Sequence, residues 1–251
     1  MQRAGRASRW GGCARVALAT AVLAAATSRV VQGQAILVLL FGDKFASENF
    51  QGGIKVDLAW STLVGLSDAE RVRSFAVGGF FELRLGPRFS IQPEFTFKSP
   101  AGARGLPFSA TGNARVDSAF AGASDVSVTR TLGYITFPIL AKVTLGPVRL
   151  GVGPQVGYVV KAFDHITGTV SRDNDLTYDV SLWPRVNRWD AGVSVLAELA
   201  LSPRRGLQSL RVRASWYRAF GDALSDAPGH NDVLTVGLGV PIGGPKAGAK
   251  P

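Results

Sequence analysis

The sequence predicts an all-β fold, namely an eight-stranded antiparallel up-and-down transmembrane β-barrel. Apolar and polar residues alternate with a period of two in eight separate stretches. Most of these stretches have about ten residues, the length that a tilted strand needs to cross the hydrocarbon core of a bilayer. The connections between them are alternately short and long, as in barrels of the bacterial outer membrane. An even number of strands also lets the sheet close without a free edge.

The first 33 residues predict a secretory signal peptide. They hold five arginines and no acidic residue, followed by an apolar run and by small residues near Gly33. Only 13 uncharged residues separate Arg15 from Arg29, too few for a membrane-spanning helix. Export and removal of residues 1–33 is therefore predicted, and cleavage after Ala35 is an alternative.

The charge balance and the cysteine count exclude two classes of chemistry. The chain has 28 basic and 18 acidic residues, and without the five arginines of the signal the basic residues number 23 and are dispersed over the strands. Nucleic-acid binding is therefore not predicted. Cys13 is the one cysteine and lies in the removed segment, so we expect neither disulfides nor thiolate chemistry.

A lead segment, 34–52, is predicted to lie at the periplasmic mouth of the barrel. It opens with a second apolar run, 35–42, which is too short for a membrane helix. A short helix and an extended arm are both compatible with it. The barrel is predicted over 53–242 and a flexible tail over 243–251.

The clearest hairpin lies between Leu132 and Ala162, with a tight turn at Gly146 and Pro147. Each half places aliphatic side chains on one face, and charged residues and glycines on the other. The eight predicted strands cover about 53–61, 74–85, 89–98, 132–145, 148–162, 188–201, 208–219 and 232–242. Long loops are predicted near 62–73, 99–129, 163–187 and 220–231, and the second of them, rich in Gly, Ala and Ser, is predicted to be mobile.

Alternation by itself does not say which face is inside, so a soluble lipocalin-like barrel in the periplasm remains an alternative. Aromatic residues at the outer ends of the apolar faces favour a membrane barrel, because they predict an interfacial girdle. The predicted girdle consists of Trp60, Phe75, Phe97, Tyr158, Trp189 and Trp216. Glycines share the charged face, as a narrow lumen crowded with long side chains requires.

The predicted lumen carries a network of charges that we expect to pair, because an isolated buried charge is costly. The principal members are Lys55, Asp57, Glu82, Arg84, Glu94, Lys142, Arg149, Asp190, Glu198, Arg211 and Arg213, and Lys98 and Lys161 share their parity. A structural network that fills the barrel is one interpretation, and a narrow pore with anion preference is the other.

Three other residue patterns are not predicted to form sites. His165 and His230 are the two histidines, and both lie in predicted loops without a nucleophile motif. Gly151, Gly153 and Gly157 imitate a dinucleotide fingerprint, but the spacing is one residue too long and no helix follows. The acidic residues Asp173, Asp175 and Asp179 could hold calcium, but the glycine and glutamate of a calcium loop are missing. We predict no catalytic residues, cofactor or metal.

Several motifs resemble those of a known family. SIQPEF (90–95), TFPILAKV (136–143) and GVGPQVGY (151–158), with GGIKVDLAWSTLVG near the start, resemble the PorT-like outer-membrane β-barrel family over roughly residues 50–242. The resemblance implies an eight-stranded barrel in the outer membrane and supplies no catalytic residues. It also outweighs the three prolines inside these motifs, which would otherwise count against strands.

The end of the predicted barrel resembles the signal that the barrel assembly machinery recognises. Polar and bulky residues alternate from Thr235 to Ile242, although Ile242 stands where an aromatic residue is usual and nine residues follow it. The expected partners are therefore outer-membrane lipid and the assembly machinery, with no nucleic acid. The expected function is structural, or binding through the long loops, without catalysis; a small-solute channel is the alternative.

Overall fold

The computed structural model describes residues 49–171, 174–202 and 209–242. They form nine β-strands and one short helix. The strands are Phe50–Val64 (β1), Val72–Arg84 (β2), Phe89–Leu106 (β3), Ser124–Leu145 (β4), Val148–Ser171 (β5), Asn174–Ser181 (β6), Trp189–Ala200 (β7), Arg211–Asp222 (β8) and His230–Ile242 (β9), and the helix is Ala114–Ala121 (α1).

Eight of the strands form a closed antiparallel ring. Consecutive strands pair from β1 to β4, β4 pairs with β5, β5 with β7, and β7, β8 and β9 follow in order. β9 then pairs with β1, from Gly52 opposite Ile242 to Val64 opposite His230. β6 lies outside the ring and pairs with the far half of β5. The predicted eight-stranded up-and-down barrel is confirmed.

Short connections and long connections lie at opposite ends of the barrel, which we call the turn end and the loop end. At the turn end, β2 joins β3 through a turn in which the Leu85 N–H donates to the Phe89 carbonyl. β4 joins β5 at Gly146, whose φ of +63° favours glycine. Outer-membrane barrels place short turns in the periplasm and long loops outside.

The outer wall of the barrel is apolar. Between the turn end and the aromatic residues, outward positions carry aliphatic side chains that remain exposed, such as Leu58 at 60%, Ile139 at 54% and Val152 at 52%. Such a continuous apolar belt is far larger than the surface of a soluble protein tolerates, and it matches the hydrocarbon core of a bilayer. The soluble lipocalin-like alternative is therefore wrong.

Among the described residues, no helix has the length and apolar character needed to cross a bilayer.

Near the loop end, two β-bulges change which side chains point into the barrel and which point outward. The β2–β3 register shifts next to Val77, and the β4–β5 register shifts next to Tyr134. As a result Lys98 and Lys161, which strict alternation places in the lumen, are exposed on the outer wall. Their predicted position was wrong because one extra residue in a strand reverses every later side chain.

Two predicted loops contain extensions of the barrel strands. β3 and β4 continue past the barrel and pair from Ala101 opposite Leu132 to Leu106 opposite Val128. β5 continues to Ser171 and forms a hairpin with β6. The long loops predicted near 99–129 and 163–187 thus form an extracellular sheet of the outer parts of β3, β4 and β5 together with β6, and α1 packs on it through Phe120 against Gly168.

β1 begins at Phe50, inside the predicted lead segment 34–52. The predicted signal peptide at 1–33, most of the lead segment and the predicted tail at 243–251 lie outside the described residues.

One inward glycine lets two strands approach closely. A Cβ atom on Gly237 would overlap the Val56 carbonyl oxygen and the Asp57 carboxylate. We therefore expect Gly237→Ala to lower the free energy of unfolding by about 1–3 kcal/mol, since the backbone cannot move aside without disturbing the β1–β9 pairing. A urea titration in phospholipid vesicles measures this change.

Gly239 on the same strand is the matched control. A Cβ atom there would lie 3.4 Å from the Phe80 ring, an ordinary contact with a side chain. We expect Gly239→Ala to change the free energy of unfolding by less than about 0.5 kcal/mol. Equal effects of the two substitutions would contradict the assigned strand register.

Candidate functional site: the charged interior of the barrel

Nine charged side chains meet inside the half of the barrel nearest the turn end. They come from seven of the eight barrel strands. On each strand the inward positions lie two residues apart, so alternate residues point into the barrel. Each is at most 7% exposed, so little solvent reaches them. We call these nine residues the lumen network: Lys55, Asp57, Glu82, Glu94, Lys142, Arg149, Glu198, Arg211 and Arg213.

One part of the lumen network is centred on Glu82 and Glu198. Lys142 Nζ lies 2.5 Å from Glu198 Oε2 and 3.3 Å from Glu82 Oε1. Arg211 Nη1 lies 2.6 Å from Glu82 Oε2, and Arg149 Nη1 lies 3.6 Å from the same oxygen. Each carboxylate is therefore shared by at least two cations.

The second part is centred on Glu94. Arg213 Nη2 donates to Glu94 Oε1 at 2.7 Å and to Oε2 at 2.9 Å. Lys55 forms an ion pair with the same carboxylate. Arg213 also lies 3.4 Å from Asp57 Oδ1 and 3.9 Å from Glu198 Oε1, which connects the two parts.

Neutral polar residues complete the connections. The Gln92 amide donates to Glu94 Oε1 at 2.7 Å, while its carbonyl oxygen accepts from Lys142 at 2.6 Å. The Ser90 hydroxyl donates to Glu82 Oε1 at 2.7 Å. Five cations and four carboxylates therefore nearly balance in a region of low dielectric constant, where unpaired charges are costly.

A small polar cavity lies beyond the lumen network, toward the loop end. Its volume is about 40 Å³, enough for a few water molecules at most. Hydroxyl groups of Thr96, Thr136, Ser215 and Thr235 line it, together with the Gln155 amide. Such a cavity is suited to buried water and leaves no room for an organic solute.

Above this cavity, Asn231 connects strands across the barrel. Its Nδ2 donates to Asp190 Oδ2 at 2.8 Å and to the Tyr134 hydroxyl at 3.1 Å. Asp190 thus lies inside the barrel but away from the lumen network. Neither Tyr134 nor Asn231 was predicted as part of a site, although both share the inward parity of their strands.

The loop end of the interior is closed by apolar side chains. Five of these, each at most 3% exposed, are Leu63, Leu132, Val159, Leu182 and Leu224, which we call the apolar plug. Leu182 is held by its N–H, which donates to the Ala162 carbonyl. The sequence did not predict the plug, because Leu63, Leu182 and Leu224 lie in predicted loops, where no alternation indicates which side chains point inward.

The structure places the remaining predicted site residues as follows. Arg84 is half-exposed at the turn end and makes no ion pair with the lumen network among the described residues. The six aromatic residues of the predicted girdle all lie on the outer wall, where Tyr158 packs edge-on against Trp189 with ring centroids 5.1 Å apart. Trp216 also donates to Asp232 at 3.0 Å.

His165 and His230, which were predicted to lie in loops, lie in β5 and β9, and they and the nearby acidic residues form separate pairs. His165 Nδ1 lies 2.6 Å from Asp179 Oδ1, and the Thr169 hydroxyl donates to Asp175 at 3.2 Å. His230 lies 3.7 Å from Asp222. Within the part of the chain that the structure describes, no three metal-ligating side chains converge, and Asp173 lies outside that part.

Two surface carboxylates, one in α1 and one in the loop before β9, are stabilised in their charged form. The backbone N–H and the hydroxyl of Thr111 both donate to Asp117, which lowers the pKa of this carboxyl. Arg185 donates to Asp226 at 2.5 Å and lowers its pKa. Both pairs fix loop conformation at the surface.

A family model described as an outer membrane protein beta-barrel domain matches residues 67–225. No curated protein matches the chain.

Two solved structures are similar at low identity. One is Ail, the attachment invasion locus protein of Yersinia pestis, at 12% identity and a TM-score of 0.40, covering 78% of this chain and 99% of Ail. The other is Neisserial surface protein A, at 12% identity and a TM-score of 0.41, covering 77% of this chain and 99% of that protein. The family match covers more than half of the chain, so the chain belongs to the family of outer membrane β-barrel domain proteins of bacteria.

Proposed function

We propose that this outer-membrane protein is a plugged barrel that does not conduct solutes and does not catalyse a reaction, and that it acts as a membrane scaffold for binding by its extracellular sheet. The observation that carries this proposal is the filled interior. The lumen network occupies the half near the turn end, and the apolar plug closes the loop end. An eight-stranded barrel leaves little space between its inward side chains.

The extracellular sheet supports the binding role. It is held by a bidentate pair between Arg130 and Asp164, in which both guanidinium-to-carboxylate distances are 2.8 Å. α1 is capped by Asn113, whose side chain accepts from the Arg115 N–H. An ordered surface outside the membrane loses less conformational entropy on binding than flexible loops would.

Single-channel recording in planar bilayers tests the plugged barrel. We expect no steady conductance from the purified protein, because buried ion pairs and apolar side chains block the path of hydrated ions. Heat-dependent migration on a gel establishes in the same preparation that the barrel is folded. Steady conductance from folded protein would favour the alternative, a narrow channel for small solutes.

We also propose that the chain is PorT-like within its family. The motifs that support this assignment lie on β3, β4 and β5, where SIQPEF, TFPILAKV and GVGPQVGY contribute Glu94, Lys142 and Gln155 to the interior. If the assignment is correct, an alignment of PorT-like chains will show inward charges at the positions of Glu94 and Lys142. Apolar residues at both positions would contradict it.

The proposed partners are outer-membrane lipid and the barrel assembly machinery. The strand proposed for recognition, β9, closes the ring, where the Ile242 carbonyl accepts from Gln51 at 2.7 Å. We expect replacement of Val240 and Ile242 by serine to reduce the folded, heat-modifiable protein in cells several-fold, whereas Thr235→Ser leaves it unchanged. Equal amounts of folded protein from both variants would contradict recognition through this strand.

A further inference from the structure

Basic side chains gather on the outer wall just beyond the aromatic girdle. Arg73 faces outward on β2, directly opposite Trp60 in the β1–β2 register. Lys98 is turned outward by the β3 bulge, and its Nζ lies 3.2 Å from the centroid of the Phe75 ring. Phe75 is two residues from Arg73 on the same face, so the two cations flank one aromatic side chain.

Two further arginines extend this group around the barrel wall, from the start of β2 past β1 and β9 to β8. Arg71 Nη2 lies 3.1 Å from Asp232 Oδ1, and Arg218 Nη1 lies 3.4 Å from Asp232 Oδ2. We call Arg71, Arg73, Lys98 and Arg218 the outer basic patch. Asp232 is 5% exposed and engaged by both arginines and by Trp216.

The outer basic patch therefore carries an uncompensated positive charge. It holds four cations against the single carboxylate of Asp232, and among the described residues neither Arg73 nor Lys98 forms an ion pair. The apolar wall begins immediately below it with two girdle residues, Phe75 at 47% and Phe97 at 53% exposed. The surface is thus cationic above and apolar below.

This combination fits an amphiphile better than a soluble anion. Lys and Arg side chains at the edge of a bilayer extend their charged ends toward the headgroups while their stems lie on apolar surface. Phosphate oxygens are strong acceptors for such cations. We propose that the outer basic patch binds the phosphorylated headgroup of an anionic lipid in the outer leaflet, with the lipid chains lying along Phe75 and Phe97.

Native mass spectrometry of the full, detergent-solubilised protein tests this proposal. We expect phosphatidic acid to remain bound more tightly than phosphatidylcholine with the same acyl chains. The double variant Arg73→Gln with Lys98→Gln is expected to weaken phosphatidic acid binding by about thirtyfold, since two basic residues near a membrane surface are removed. The variant Arg73→Lys with Lys98→Arg keeps both charges and should retain the binding.

Arg88 supplies the matched control, because it is exposed at the turn end and loses the same kind of charge in Arg88→Gln. We expect that variant to bind phosphatidic acid as the natural protein does. Equal binding of phosphatidic acid by all variants, or equal loss in Arg88→Gln, would overturn the proposal. Displacement of phosphatidic acid by an equal concentration of glycerol phosphate would overturn the lipid assignment. None of these results bears on conductance, so the plugged-barrel proposal is tested independently.

Discussion

We expect the substitution Glu94→Gln to lower the free energy of unfolding by about 3–5 kcal/mol, because it removes one partner of buried ion pairs. Glu94 neutralises Arg213 and Lys55 in a region that solvent barely reaches. Glutamine has almost the same shape, so the loss reports the missing charge and not a cavity. Urea titration of the protein refolded in phospholipid vesicles measures the change.

An exposed ion pair provides the control. Arg185 and Asp226 are 39% and 47% exposed in their side chains, and solvent screens their interaction. We expect Asp226→Asn to lower the free energy of unfolding by no more than about 1 kcal/mol. If Glu94→Gln has an effect as small as Asp226→Asn, water must hydrate the interior, and the lumen would not be closed as we describe.

The second large effect is expected on the outer wall. Val152 lies midway along β5 between the turn at Gly146 and the girdle residue Tyr158, and its side chain is 52% exposed to what must be lipid. We expect Val152→Arg to lower the free energy of unfolding in vesicles by about 2–4 kcal/mol, since a guanidinium at the middle of the bilayer loses its hydration. The same urea titration detects it.

A second substitution on β5, nearer the membrane surface, shows whether the loss of stability depends on depth in the bilayer or on any change in this strand. Val148 also faces outward but lies next to the turn end, near the membrane surface. We expect Val148→Arg to cost about 0–1 kcal/mol, because the charged group there reaches water. A negligible effect at both positions would show that the wall faces water and would remove the basis of the membrane assignment.

Much of the charged interior could be predicted from alternation. Glu82, Glu94 and Glu198, like the cations that pair with them, occupy inward positions of their strands, and a closed barrel turns alternate residues of every strand inward. Which cation meets which carboxylate could not be predicted. The Arg213 to Glu94 pair joins residues 119 positions apart, and the ring alone brings them together.

The predictions were wrong where the strands depart from regular pairing. Lys98 and Lys161 follow bulges, and a bulge leaves no reliable mark in the residue pattern. The extracellular sheet was predicted as loop because many of its residues are small and polar. Pairing with neighbouring strands and the burial of side chains such as Leu106, Val128 and Ile166 stabilise it.

The order of residues along the chain is enough to establish the class of fold, the number of strands in the ring and the membrane environment, because a period of two over spans of bilayer length follows directly from it. The partners within the lumen network, the apolar plug and the outer basic patch became visible in the folded barrel alone. These depend on strand register and on bulges, which bring distant residues together and which residue order alone does not specify.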